Sequence, residues 1–194
     1  YKVWVDTGKY EILSAESTTN IRSPDEQTPD TPLQIQILGS VYKHFKDRPT
    51  DFEYFAASIF KLQDERVMID EVTRASVDGG RDAVGRYLLG LASDPVYVEF
   101  SLEAKCYRPK IDGTKPNAVG VKEVSRLISR IRHRQFGVLV TTSFVHRQAY
   151  QEVREDRHPI IFIYGRDIAE TLINSGINSE EQVREFLSSQ FPIV

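Results

Sequence analysis

Apolar and polar side chains alternate through VEFSLEAKCY, residues 98–107, the pattern of a strand with two unlike faces. Val96, Val98, Phe100, Leu102, Ala104 and Cys106 fall on one face, and Tyr97, Glu99, Ser101, Glu103, Lys105 and Tyr107 on the other. Residues 1–32 have little periodicity and are rich in Thr, Ser, Pro, Asp and Glu, with TTNIRSPDEQTPDTP as the extreme. They read as an N-terminal linker or the remnant of an upstream module, with a short ordered piece near 2–13, and leave 33–194 as the folded domain.

A helix is predicted over 33–44, with Ile35, Leu38, Val41, Tyr42 and Phe45 on its apolar side and Pro49 ending it. Thr50 and Asp51 are N-cap candidates for the next helix, DFEYFAASIFKL, whose stripe is Phe52, Phe55, Ala56, Ile59 and Leu62. Strands are expected at 68–74 and 82–89, joined through Asp78-Gly79-Gly80, and Asp94-Pro95 turns into the third. These three form an antiparallel meander. After a loop at 108–117, a helix is expected over 118–134, with Val121, Val124, Leu127, Ile128 and Ile131 facing the core. FGVLVTTS, 136–143, and 160–164 read as strands buried on both sides. Helices are expected at 145–156, 166–174 and 179–189. The order around the strands is α-βββ-α-β-α-β-α-α, an α/β sandwich whose central mixed β-sheet is flanked by helices.

Composition narrows the class of protein without naming a function. The 194 residues are 40% hydrophobic and 27% charged, ordinary for a globular protein of one domain, or one domain plus an extension. No apolar run approaches a membrane span and the start lacks a signal pattern, so a cytoplasmic location is expected. The chain starts without Met and reads as a fragment or processed product. Cys106 is the single cysteine, which excludes an internal disulfide and a thiolate-rich zinc site; on the apolar face it reads as a small buried hydrophobe. A net charge of -3 gives no global case for nucleic acid, so any such binding must come from a local patch.

Glu103 and Lys105 share a strand face, and Asp82 begins the strand one hairpin earlier. Together they would bring two carboxylates and an amine to one point, suited to a hard divalent metal and an activated water. Magnesium takes oxygen ligands and leaves room for water and phosphate; Asp82, Glu103 and the main-chain carbonyl of Ala104 are the candidates. Lys105 would hold the attacking water and offset charge on a pentacovalent phosphorus. Glu-x-Lys on an amphipathic strand also reads as a solvated edge with a weak ion pair. Glu53, in a helix first turn, reads equally as a functional acid or as one that favours the helix dipole. His133 and His146 lack a nucleophile partner, Ser143 lacks a nucleophile elbow, and Asp167 reads as a first-turn acid.

DFEYFAASIF, DGGRD, LEAKCY, GVLVTTSFVHRQAY and IIFIYGRDIAETL occur in that order, and over about 52–172 the chain resembles the Mrr-like branch of the PD-(D/E)xK restriction-endonuclease superfamily. The resemblance implies a restriction-endonuclease-like fold and a Mg²⁺-dependent DNA endonuclease. It also implies that Asp82 and Glu103 hold the metal, that Lys105 is catalytic, and that Glu53 completes the site. Many members carry Gln where Glu103 stands; here the acid is retained. The 82–103 hairpin is longer than the tightest examples, and 108–117 looks like an insertion.

Lys122, Arg126, Arg130, His133 and Arg134 lie off the apolar stripe of the expected 118–134 helix, with Lys110 and Lys115 in the loop before it. This patch could neutralise phosphates of duplex DNA without reading bases, although any single member also reads as a solvated basic position. The expected biology is the cleavage domain of a restriction enzyme, ordinary or modification-dependent, with recognition in a separate N-terminal domain. Double-strand cutting would favour a homodimer or higher oligomer. The competing readings are a catalytically silent DNA-binding domain of the same fold, and a nuclease acting on RNA or on branched DNA in repair.

Overall fold

The computed structural model describes residues 21–72, 81–91 and 93–193. The expected ordered piece near 2–13 and the Asp78-Gly79-Gly80 turn lie outside these residues. The described elements are α1 (Pro24–Gln27), α2 (Pro32–Phe45), α3 (Pro49–Gln63), β1 (Val67–Val72), β2 (Ala83–Leu91), β3 (Asp94–Lys105), β4 (Ala118–Val119) and α4 (Val121–Ile128). They continue with β5 (Phe136–Thr141), β6 (Phe144–Val145), α5 (Arg147–Glu155), β7 (Ile160–Ile163), α6 (Gly165–Asn174) and α7 (Glu180–Gln190). Among the described residues, no helix is long and apolar enough to cross a membrane.

Five strands form a mixed sheet in the order β1-β2-β3-β5-β7. The first three are the expected antiparallel meander, and β3, β5 and β7 run parallel through crossovers that carry α4 and α5. The architecture is therefore the α/β sandwich that the pattern predicts. Period-two alternation sorts the strands between two cores. Phe100, Leu102, Ala104, Val138, Val140 and Ile163 face α2, α3, α6 and α7. On the other face, Leu139 and Phe162 pack with Val124, Leu127, Ala149 and Val153 of α4 and α5.

Local chemistry fixes the helix starts, in one case differently from the prediction. Thr31 Oγ1 accepts from Gln34 N–H, the Gln34 side chain reaches back to the Thr31 N–H, and Pro32 fills the first turn, so α2 starts as a capping box. Pro49 does not end α2, which stops at Phe45; it is the first residue of α3, where its missing N–H costs nothing. Arg48 stands at the N-cap of α3, so Thr50 and Asp51 fall inside the first turn, and Asp51 pairs with Arg48 Nε at 2.6 Å.

The helix expected over 118–134 is shorter than its periodicity suggests. Residues 118–119 pair in parallel with β6, and α4 spans only Val121–Ile128. Ser129 to Gln135 then turn the chain into β5, whose register starts with Phe136 opposite Phe100. Gly137 lets α4 approach closely: a Cβ there would come 2.8 Å from Ile131 Cδ1 and 3.1 Å from Leu127. Residues 21–32, grouped with the linker by composition, lie against the body. The buried Gln27 accepts from Val145 N–H at 2.8 Å and donates to Arg22 O, and Arg22 pairs with Asp167 at 2.8 Å.

Candidate active site

The face of β3 that looks polar in sequence is not a solvated edge. β3 is the middle strand of the sheet, and its C-terminal half is covered on both sides, so that Ser101 and Glu103 are buried beneath α4 and the turn that follows it. Glu103 is 0% exposed. A carboxylate that deep is stable as an anion only with charge partners. Lys105 supplies one, its Nζ 2.6 Å from Glu103 Oε1 and 3.8 Å from Asp82 Oδ2, while also donating to Ala104 O at 3.0 Å. Arg130 supplies another, donating from Nη1 to Glu103 Oε2 at 2.5 Å. Arg126 Nε stands 3.8 Å from Glu103 Oε1.

Asp82 reaches this point because β2 pairs with β3 in the register Ala83 opposite Leu102. Its N–H donates to Leu102 O at 3.1 Å, and its Oδ2 accepts from Ala104 N–H at 2.7 Å, which pins the carboxylate beside the Glu103–Lys105 segment. Burial and the nearby Glu103 raise its pKa, partly opposed by the Ala104 N–H and Lys105. Glu53 points inward from the first turns of α3. Burial, then Asp82, push its carboxyl up to about 7, and Lys105 acts in the opposite direction. Sequence alone leaves the role of Glu53 open; its carboxylate senses Asp82, Lys105 and Glu103 and is not an isolated helix-dipole acid.

The donors are all oxygens. Glu53 Oε2 and Glu103 Oε1 are buried without a hydrogen bond; the contact of Lys105 with Glu103 Oε1 is ionic rather than directed. No group of three or more His, Cys, Asp or Glu at metal-binding spacing occurs among the described residues. Two carboxylates and the Ala104 carbonyl nevertheless fit a hard cation that keeps its remaining positions for water and phosphate.

The basic residues do not form one helix face. Lys122 and Arg126 are exposed on α4, and Arg134 is exposed in the connection after it with a left-handed φ of 63°. Lys115 is exposed in the loop, and Lys110 pairs with Asp25 at 2.8 Å. Arg130 departs most from its expected place: it is 12% exposed and bound to Glu103, so it is not part of an open surface. The i, i+4 spacing of Arg126 and Arg130 is visible in the sequence, but the burial of Glu103 beneath them is not. Cys106 packs against the larger core, and burial pushes its thiol up to about 12, in keeping with a small hydrophobe. Asp167 is a first-turn acid, accepting from Tyr164 N–H at 2.9 Å and pairing with Arg22. His146 caps α5.

A restriction endonuclease family model, Mrr_cat, matches residues 46–172, well over half of the chain and all of the site described above. The chain belongs to that restriction endonuclease family. Its fold is similar to that of the DNA modification-dependent restriction endonuclease AspBHI, with a TM-score of 0.80 and 42% identity over 97% of this chain and 47% of AspBHI. It is also similar to MspJI restriction endonuclease, solved in complex with a 27-mer oligonucleotide, with a TM-score of 0.73 and 27% identity over 89% of this chain and 39% of the other. The chain thus spans less than half the length of either relative. No curated protein sequence matches it.

Proposed function

We propose that this restriction-endonuclease domain hydrolyses phosphodiester bonds of duplex DNA with Mg²⁺, as the cleavage part of a modification-dependent enzyme whose recognition lies in a separate N-terminal domain. The observation that carries the reading is Lys105 Nζ set between Glu103 and Asp82 on a buried sheet face. Similarity to AspBHI, described as modification-dependent, and to MspJI, solved with an oligonucleotide, supports the substrate class. Both relatives are about twice as long as this chain, which supports recognition from elsewhere.

Asp82, Glu103 and the Ala104 carbonyl would hold the cation, with the Ala104 N–H fixing the Asp82 carboxylate. The chemistry such a cation would supply there is Lewis acidity toward the scissile phosphate. The Lys105 ammonium orients the attacking water and offsets the charge that grows on the phosphoryl oxygens. Glu53 completes the acidic side of the site, its carboxyl buried beside Asp82 and Glu103. Lys110, Lys115, Lys122, Arg126 and Arg134 bear on DNA phosphates. Cutting both strands takes two such sites or two visits by one, and the first favours a homodimer or higher oligomer as the working form.

Methylated and unmethylated plasmid incubated with the chain and Mg²⁺ test the reading. Cleavage of either plasmid is expected, and it should drop by about 10²-fold or more in Asp82→Ala and Lys105→Ala, as for loss of a group that acts on transition-state charge. The far-ultraviolet circular dichroism of the variants should stay that of the parent. If neither plasmid is cut, or both variants cut like the parent, the nuclease chemistry assigned to these residues is wrong.

A further inference from the structure

The guanidinium of Arg130 sits on Glu103, one of the carboxylates assigned above to the cation. Three positive groups converge there: Lys105 at 2.6 Å, Arg130 at 2.5 Å and Arg126 at 3.8 Å. The acids they face are Asp82, Glu103 and Glu53. A divalent ion entering among three cations is repelled by each, and in a buried place that repulsion is weakly screened. The three carboxylates attract the ion and the three cations oppose it, so binding is strengthened when one of the cations withdraws.

The structure distinguishes the three. Lys105 is tethered by Ala104 O and lies between both carboxylates, where the chemistry needs it. Arg126 is half-exposed, 51%, so solvent already weakens its field at Glu103. Arg130 makes a direct, shielded hydrogen bond to a Glu103 oxygen, at 12% exposure. It also projects from outside α4, which ends at Ile128. Its backbone is held by a turn bond to Leu127 O, so the side chain can leave without unwinding a helix.

We propose that Arg130 is a placeholder: it holds Glu103 in position while the site is empty and is displaced when a divalent cation binds. The proposal rests on the metal-nuclease reading above. Arg130 keeps the buried carboxylate paired and oriented, and it also competes with the ion for it. By linkage, anything that draws the guanidinium away, such as a phosphate of incoming DNA, tightens cation binding by the same factor that the cation tightens phosphate binding.

Mn²⁺ binding in the absence of DNA, read from the electron paramagnetic resonance signal of free Mn²⁺, tests this in Arg130→Gln, Arg130→Lys, Arg126→Gln and the parent. Arg130→Gln should bind Mn²⁺ about tenfold tighter, which is about 1.4 kcal/mol, and Arg130→Lys by an intermediate factor. Arg126→Gln, which removes the same charge without freeing a Glu103 oxygen, should gain less than about threefold, about 0.7 kcal/mol. In EDTA the Arg130→Gln urea midpoint should fall below the parent's, and Mn²⁺ should restore more of it than it adds to the parent. If Arg130→Gln binds no tighter than the parent, or gains no more than Arg126→Gln, Arg130 is a structural ion pair and the nuclease reading stands. If neither the parent nor Arg130→Gln binds Mn²⁺, the metal reading itself fails and the placeholder with it.

Discussion

Glu53 shows how one carboxyl links the site to stability. Burial and the neighbouring Asp82 raise it from an ordinary 4.5 to about 7. Between those values the folded chain keeps a proton that the unfolded chain has lost, so stability falls as pH rises through this window and levels off above it. Asp82, also raised, adds to the same slope. Asp64, held well below the usual carboxylate range by Arg66, acts in the opposite sense but at lower pH. Metal-free protein should therefore have a higher urea midpoint near pH 5 than near pH 8, and Glu53→Gln should reduce the difference. A drop of equal size in parent and variant would assign the slope to other groups. Glu103→Gln, by contrast, would leave Arg130 and Lys105 facing a neutral partner.

Among the elements, α1 and the segment around it are least visible in the sequence. Thr, Ser, Pro, Asp and Glu dominate there, and composition alone says linker. What ties the segment down is long-range pairing: the buried Gln27 accepts from Val145 N–H, Arg22 pairs with Asp167, and Arg166 binds Asp30 and the Thr28 carbonyl; no periodicity announces such an arrangement. Gln27→Ala should cost about 1–3 kcal/mol, the penalty for leaving buried backbone groups unpaired, measured as a shift in urea midpoint at constant slope. A change within error would mean that the Gln27 bonds add nothing to the fold. The strands are legible because alternation and apolar runs report burial directly, and Asp82, Glu103 and Lys105 are legible because residues near one another in a hairpin meet by register. The sequence overextends α4 because its apolar and basic positions keep helical spacing through the turn that leads to β5, and nothing in 129–135 breaks a helix by composition. The same overextension puts Arg130 on a solvated face, when the turn instead aims it at Glu103.

At the scale of the whole molecule, the balance of charge is slightly acidic, at -3, so attraction to DNA must be local. Lys122 and Arg126 on α4 and Arg132 and Arg134 beyond it are exposed, and Arg126 stands 3.8 Å from Glu103, which is itself buried and paired with Lys105 and Arg130. Exposed basic side chains thus follow one another along 122–134 even though the chain as a whole is acidic. If Lys122 and Arg134 each meet a phosphate, the double variant Lys122→Gln/Arg134→Gln should bind duplex oligonucleotides more weakly by a similar factor whatever their sequence. It should also lower the slope of log affinity against log salt by about 0.9 for each phosphate left unneutralised, so about 1.8 for the pair. Fluorescence anisotropy in EDTA, over a salt series and with two unrelated duplexes, measures both without cleavage. A weaker affinity with an unchanged slope would mean that the residues shape the surface without touching phosphate, and a loss confined to one duplex would make them readers of sequence; either result removes them from the backbone-binding patch.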